Sequence, residues 1–149
     1  MYIVSACLAG ISCRYDGKHN LNKDILNLLK EGKAILVCPE QLGGLSTPRV
    51  PCEIKKDSEG NIKVINKEGK DVTENFIKGA KETLKIAKDV DATIAILKSR
   101  SPSCGYKEIY DGTFSGKRIK GNGITGELLS KEGIKIYNED NIPKEILDK

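Results

Sequence analysis

Three cysteines stand where short apolar segments end, and they are the side chains of this sequence best suited to chemistry. Cys7 closes the segment YIVSAC, Cys38 follows AILV, and Cys104 comes shortly after ATIAILK. Three thiolates that meet suit a soft metal, either zinc or an iron–sulfur cluster. Zinc needs a fourth ligand, and candidates stand at Cys13, Cys52 and His19. The spacing alone does not choose between these metals, and each cysteine taken singly could be a small buried apolar residue.

The apolar segments that end at these cysteines are predicted to be β-strands of one parallel sheet. Strands are expected at 2–7, 33–40, 92–99 and 134–138, and helices at 22–32, 72–90 and 124–133. Alternating strands and helices indicate an α/β fold with a mostly parallel sheet and helices on both faces. The carboxyl ends of parallel strands share one edge, where such proteins bind ligands. Cysteines that are distant in the sequence can therefore converge there.

One domain is expected to span residues 1–149, because no repeat and no linker interrupts the chain. A small β-hairpin insertion is predicted at about residues 53–66, where EIKK and IKVIN flank the turn SEGN. The glycine-rich, basic segment 112–123 is expected to be a mobile or ligand-facing loop.

Composition and charge narrow the classes of partner. The net charge is +4 and the lysines are spread along the chain, which allows an anionic small molecule and disfavours a duplex nucleic-acid binder. No segment approaches the roughly 20 apolar residues of a membrane span, and the first residues lack the pattern of a signal peptide. We therefore expect a cytoplasmic protein without membrane contact, in which the five cysteines stay reduced.

Polar residues close to these cysteines favour catalysis over a purely structural metal site. Glu40, two residues after Cys38, is a candidate general base, although a glutamate that caps a surface turn is equally expected there. Arg49 is displayed between two prolines in PRVP. Hydroxyls and a guanidinium suited to binding a polar substrate precede Cys104, at Ser99, Arg100, Ser101 and Ser103.

Four motifs together resemble the thiouracil desulfidase (TudS) family, formerly catalogued as a domain of unknown function. They are SACLAGISCRYDG, CPEQLGGLSTPR, KSRSPSCG, and IYDGTFSG followed by GNGITGELL, in this order over about residues 3–137. The resemblance implies a single Rossmann-like α/β domain that carries a [4Fe–4S] cluster. It also implies a non-redox reaction in which thiouracil, or a 4-thiouridine nucleotide such as 4-thio-UMP, becomes the oxo compound and releases hydrogen sulfide.

The same resemblance implies roles for particular residues. Cys7, Cys38 and Cys104 would hold the cluster, and a fourth iron without a protein ligand would bind the sulfur of the substrate. Glu40 would act as the acid/base, and Ser101 as a hydroxyl that orients the substrate or handles a proton.

The remaining expectations concern the substrate and the other thiols. Substrate contacts are expected from Arg49, Ser99, Arg100 and Ser103. Cys13 and Cys52 are not counted as ligands, because the resemblance implies cysteine in some members and valine in others at the first position, and more often proline or alanine at the second. A thiolate from either residue on the fourth iron would close the open site. The alternatives are a zinc-binding structural or regulatory nucleotide-binding protein without catalysis, and a plain nucleotide-binding module whose cysteines are incidental.

Overall fold

The computed structural model describes residues 1–148, so that Lys149, the last residue of the predicted domain, lies outside the described residues. The strands are β1 (Tyr2–Ser5), β2 (Ala34–Val37), β3 (Cys52–Lys56), β4 (Ile62–Asn66), β5 (Ile94–Ile96), β6 (Glu108–Tyr110), β7 (Arg118–Lys120) and β8 (Lys135–Tyr137). Four of them form a parallel sheet in the order β2–β1–β5–β8. This confirms the predicted α/β architecture, and each of the four strands lies within its predicted segment.

Helices cover both faces of this sheet, as the sequence predicts. They are α1 (Lys23–Lys30), α2 (Pro39–Leu42), α3 (Thr73–Asp89), α4 (Ile124–Lys131) and α5 (Lys144–Leu147), and a 3-10 turn (Ala6–Ala9) follows β1. Neighbouring strand residues point to opposite faces, and Ile3 and Val4 accordingly belong to different apolar clusters. The cluster around Val4 contains Ile25 of α1, whereas the cluster around Ile3 contains Ala87 of α3 and Leu129 of α4. None of the helices within residues 1–148 has the length and apolar character of a membrane span.

Two β-hairpins stand outside the central sheet. Strands β3 and β4 pair antiparallel, with Cys52 opposite Asn66, in the region predicted as a hairpin insertion. Strands β6 and β7 form a second hairpin, with Glu108 opposite Lys120. The sequence predicts a loop across 112–123, and β7 corrects that expectation. Strand β7 has only three residues, all of them exposed, which is too short a run for alternating polar and apolar residues to signal a strand.

The short helix α2 is fixed by direct backbone contact with α3. A Cβ atom on Gly79 of α3 would lie 1.9 Å from Pro39 O, and one on Gly43 would lie 2.0 Å from Asn75 O. Only glycine lets two backbones approach this closely. The Asn75 side chain adds a hydrogen bond of 2.9 Å from its amide nitrogen to Gly43 O. The contact sets the position of Glu40 in the first turn of α2.

The contact at Gly79 predicts that an alanine there destabilises the protein, whereas helix propensity alone predicts that it stabilises it. Replacing a helix-interior glycine by alanine ordinarily stabilises a helix by up to about 1 kcal/mol. Here the added methyl group overlaps Pro39 O, so we expect Gly79→Ala to lower the free energy of unfolding by about 1–3 kcal/mol. Urea unfolding measures the change, with Lys81→Ala, at an exposed position of α3, as the control. A stabilised Gly79→Ala protein would contradict the contact.

Candidate active site

A cavity of about 500 Å³ lies at the edge of the sheet where β1, β2 and β5 end. All five cysteines of the chain line it as free thiols, namely Cys7, Cys13, Cys38, Cys52 and Cys104. The structure thus brings the three predicted ligands to one wall and adds the two cysteines that the sequence analysis set aside. Their role as ligands stays a prediction.

The three predicted ligands reach the cavity from different elements. Cys7 lies in the 3-10 turn after β1, Cys38 immediately precedes α2, and Cys104 lies in a turn after β5. Cys7 is 8% exposed and packs in the cluster on the α1 face of the sheet, whereas Cys104 is 6% exposed and packs on the α3 and α4 face. The cavity therefore receives a thiol from each side of the sheet edge.

Cys38 differs from the other thiols in its acidity. A hydrogen bond from the Cys13 thiol lowers the pKa of Cys38, and the same bond raises the pKa of Cys13. Burial raises the pKa of Cys7 and of Cys104, and it raises the pKa of Cys52 to about 11. Cys38 is thus the thiol of this cavity that ionises most readily, which suits a thiolate ligand or nucleophile.

Glu40 is held on the cavity wall by Arg49. Arg49 Nε donates to Glu40 Oε2 at 3.1 Å, and Nη2 donates to the same oxygen. Nη2 also donates to Cys13 O at 3.0 Å, while Nη1 donates to Thr47 Oγ1 at 2.8 Å and to Ser46 O at 3.2 Å. The guanidinium is engaged on all sides by protein acceptors. Its predicted contact with substrate stays a prediction, and its visible task is to orient Glu40.

Ser101 organises the turn that carries Cys104. Its Oγ accepts hydrogen bonds from Ser103 N at 3.0 Å and from Cys104 N at 2.9 Å. Because both partners are donors, the hydroxyl hydrogen of Ser101 remains available for a ligand. Ser103 is 1% exposed, and its hydroxyl is hydrogen-bonded to Thr125 Oγ1 of α4 at 2.9 Å. Ser103 thereby ties the turn to α4.

Ser99 and Arg100 lie on the wall beside an ion pair that the sequence analysis missed. Glu139 accepts hydrogen bonds from Ser99 N at 2.8 Å and from Ser99 Oγ at 3.0 Å, and it pairs with Lys98 Nζ at 2.7 Å. Glu139 lies in a polar loop, and nothing in its sequence neighbourhood marks it. Arg100 Nη1 is 3.7 Å from Glu108 Oε1, and the guanidinium has no hydrogen-bond partner within residues 1–148. Arg100 is therefore available to an anionic ligand.

Asn20 is a further residue that the sequence analysis missed. Arg14 Nη1 donates to Asn20 Oδ1 at 2.8 Å, and Asn20 N donates to Cys7 O at 2.9 Å. These bonds hold the side-chain amide beside the Cys7 thiol, where it lowers the pKa of Cys7 against the larger effect of burial. Among the residues that the structure describes, Asn20 Nδ2 is the buried side-chain polar atom that lacks a hydrogen-bond partner. A spare donor beside buried thiols fits a group rich in sulfur acceptors, such as an iron–sulfur cluster.

The spread of the thiols bears on the kind of metal centre. Thiolates that share one zinc ion lie about 4 Å apart, whereas each thiolate of an iron–sulfur cluster binds a different iron. Within residues 1–148, no three His, Cys, Asp or Glu side chains are grouped as ligands of a single ion. Cys7, Cys38 and Cys104 reach the cavity from separate elements, an arrangement in which each thiolate can bind a different iron.

The fold and the site define an α/β protein with a thiol-lined cavity at the carboxyl edge of its sheet. The model of the 2-thiouracil desulfurase family matches residues 2–141, and the chain belongs to this family. It is 46% identical over 147 residues to the uncharacterized protein YbbK of Bacillus subtilis, covering 95% of this chain and 97% of that protein. The solved structure of the [4Fe-4S]-dependent thiouracil desulfidase TudS is similar with a TM-score of 0.87 and 41% identity, covering 96% of this chain and 93% of that one. The predicted family is thereby confirmed.

The Cys13–Cys38 pair predicts a specific pattern of thiol reactivity. In Cys13→Ala the hydrogen bond to Cys38 is lost, so that the pKa of Cys38 rises and its thiolate fraction at pH 7 falls. We expect iodoacetamide to label Cys38 several-fold more slowly in this variant, as measured by peptide mass spectrometry on metal-free protein. Cys52→Ala serves as the matched control and should leave the rate unchanged. Equal labelling rates in Cys13→Ala and wild type would contradict the assignment.

Proposed function

We propose that this protein is a [4Fe–4S]-dependent desulfidase that replaces the sulfur of a thiolated pyrimidine by oxygen and releases hydrogen sulfide. Membership of the 2-thiouracil desulfurase family supports the desulfuration, and the similarity to TudS supports the cofactor. The observation that carries the proposal is a single cavity lined by Cys7, Cys38 and Cys104 together with Glu40. We place the activity in the cytoplasm, where thiols remain reduced.

In this proposal Cys7, Cys38 and Cys104 hold the cluster. Each follows a different strand of the parallel sheet, and the spare amide of Asn20 lies ready to donate to sulfur beside Cys7. When bound, a cluster with three protein thiolates supplies an iron without a protein ligand, which acts as a Lewis acid toward the soft sulfur of a thiocarbonyl. The count of three ligands is therefore functional, in the way that a catalytic zinc keeps one position open.

Cys13 and Cys52 remain outside the proposed ligand set. The Cys13 thiol lowers the pKa of Cys38, which favours the thiolate form that binds metal. The Cys52 sulfur lies 3.5 Å from Val50 O, within its own segment of chain. Both thiols thus support the wall of the cavity.

Glu40 is the proposed acid/base. Arg49 engages Oε2, whereas Oε1 has no hydrogen-bond partner within residues 1–148 and is open to a water molecule. Glu40 takes a proton from the water that adds to the ring carbon bearing sulfur, and it returns a proton to the departing sulfur. The thiocarbonyl and water become a carbonyl and hydrogen sulfide, so that atoms balance and no oxidation state changes.

The proposed substrate contacts combine hydroxyl and cationic groups. The free hydroxyl hydrogen of Ser101 donates to a heteroatom of the substrate ring, and Ser99, Ser103 and Arg49 shape the wall beside it. The guanidinium of Arg100, whose contact with Glu108 is a loose ion pair at 3.7 Å, suits a phosphate group, which with the net charge of +4 favours a nucleotide such as 4-thio-UMP over the free base. Sulfide release from 2-thiouracil, 4-thiouracil, 4-thiouridine and 4-thio-UMP, compared under one condition, decides between these substrates.

The proposed role of Glu40 predicts that a variant at this position binds iron normally but no longer catalyses sulfide release. We expect Glu40→Gln to retain wild-type iron content and visible absorption after anaerobic reconstitution, while sulfide release falls by at least about 100-fold. The matched control is Glu59→Gln, which removes the same charge at an exposed hairpin turn and should retain full activity. Wild-type turnover in Glu40→Gln would show that another group handles the proton.

The ligand assignment predicts that the five cysteines fall into two classes. Cys7→Ser, Cys38→Ser and Cys104→Ser should lose most of the bound iron and the broad absorption near ~400 nm. Cys13→Ala and Cys52→Ala should each retain about four irons per chain and an active cluster. Iron and acid-labile sulfide analysis measures both classes. Loss of iron from Cys52→Ala, or wild-type protein that binds one zinc ion and no iron, would overturn the proposal.

A further inference from the structure

The second hairpin carries an aromatic residue in a strained backbone conformation at the cavity. Phe114, in the loop between β6 and β7, has φ = 57°, in the left-handed region that bulky residues avoid. Strain of this kind persists only where the surroundings impose it, and it concentrates at functional sites. Phe114 lines the thiol cavity, whereas the other phenylalanine of the chain, Phe76, is buried in the core.

The strained conformation is imposed by Glu53 of the first hairpin. Glu53 Oε1 accepts hydrogen bonds from Gly112 N at 2.9 Å and from Phe114 N at 3.2 Å. A Cβ atom on Gly112 would lie 2.7 Å from Ile54 O, so that the loop packs directly on strand β3. The carboxylate therefore clamps the loop from one hairpin to the other and fixes the direction of the Phe114 side chain.

The Phe114 ring lies near a cation, and Phe114 itself lines the cavity. Lys55 Nζ lies 5.9 Å from the ring centroid, and Lys55 is not among the residues that line the cavity, whereas Phe114 is. Tyr15 and Tyr110 contribute further aromatic surface to the same wall. A flat ring on the wall of a cavity lined by polar groups and thiols is suited to stacking on a flat heteroaromatic ring.

We propose that Phe114 is the face on which the pyrimidine ring of the substrate stacks, and that Glu53 is the positioning residue that holds it there. This inference rests on the proposed function, because it takes a thiolated pyrimidine as the substrate. Stacking depends on the flat face of the pyrimidine ring and not on its sulfur atom. Thiouracil and its product uracil therefore bind to Phe114 with similar affinity.

The first test separates binding from chemistry. Phe114→Leu should raise the KM about tenfold for the thiopyrimidine from which the wild-type protein releases sulfide fastest, since a stacking contact contributes roughly this factor or more, and should change kcat less than twofold. Phe114→Tyr keeps the aromatic face and should keep the KM. Tyr137→Leu, which removes an aromatic ring outside the cavity, is the control. An unchanged KM in Phe114→Leu overturns the proposal.

The second test asks whether Glu53 acts through Phe114. Glu53→Ala should raise the KM by a similar factor in the wild-type background and less than twofold in the Phe114→Leu background. Glu53→Gln keeps an acceptor oxygen for the two loop amides and should restore most of the affinity. Independent, multiplicative effects of the two substitutions would show that Glu53 does not work through the ring, and would overturn the positioning role.

The third test does not depend on turnover. The chain contains no tryptophan, so that Phe114→Trp introduces a single indole at the proposed stacking face. Uracil or UMP, whichever is the product of the preferred substrate, should quench its fluorescence in the holoprotein, whereas Tyr137→Trp should not respond. Quenching in a protein that releases no sulfide from any thiopyrimidine would refute the proposed function and support the stacking face. Normal sulfide release without quenching would refute the stacking face and leave the desulfidase assignment intact.

Discussion

Parallel pairing of β1 with β2 on one side and with β5 on the other is the constraint on which the site depends. Strands that run in one direction end at one edge, so residues far apart in the sequence leave the sheet side by side. Cys7, Cys38 and Cys104 leave it in this way and enter one cavity. Reversal of a single strand would carry its cysteine to the opposite edge. Strand direction, rather than sequence spacing, therefore sets the proximity of the thiols.

The charged groups at this edge are paired within the protein. Arg49 pairs with Glu40 at side-chain exposures of 7% and 17%, and Lys98 pairs with Glu139 at 23% and 15%. Removing one partner from such a shielded pair leaves an uncompensated charge, which costs about 3–5 kcal/mol when burial is complete and less at these exposures. The pairs keep long, flexible side chains in one arrangement, so that the wall has its shape before a ligand enters. Arg100, which lacks such a close partner, is the contrasting case.

The parallel sheet and the meeting of the cysteines follow from the sequence, because strands buried on both faces produce unmistakable apolar runs. Helix α2 cannot be predicted from the sequence, because its four residues between Cys38 and Gly43 are too few to show a helical period. Asn20 and Glu139 acquire their importance from partners that only the folded chain supplies, and a polar loop residue carries no periodic signal. Phe114 sits in a glycine-rich segment, which predicts flexibility, whereas a carboxylate from the other hairpin makes that loop rigid.

The unsatisfied amide of Asn20 links cofactor binding to the stability of the folded chain. Without the cluster, the Asn20 amide lacks a hydrogen-bond acceptor, and burial favours the protonated form of Cys7 and Cys104 beside the carboxyl edge of the sheet. In the proposed holoprotein these groups gain their acceptors and ligands, and the binding free energy adds to that of folding. Molecules without the cluster would therefore unfold more readily than molecules that carry it.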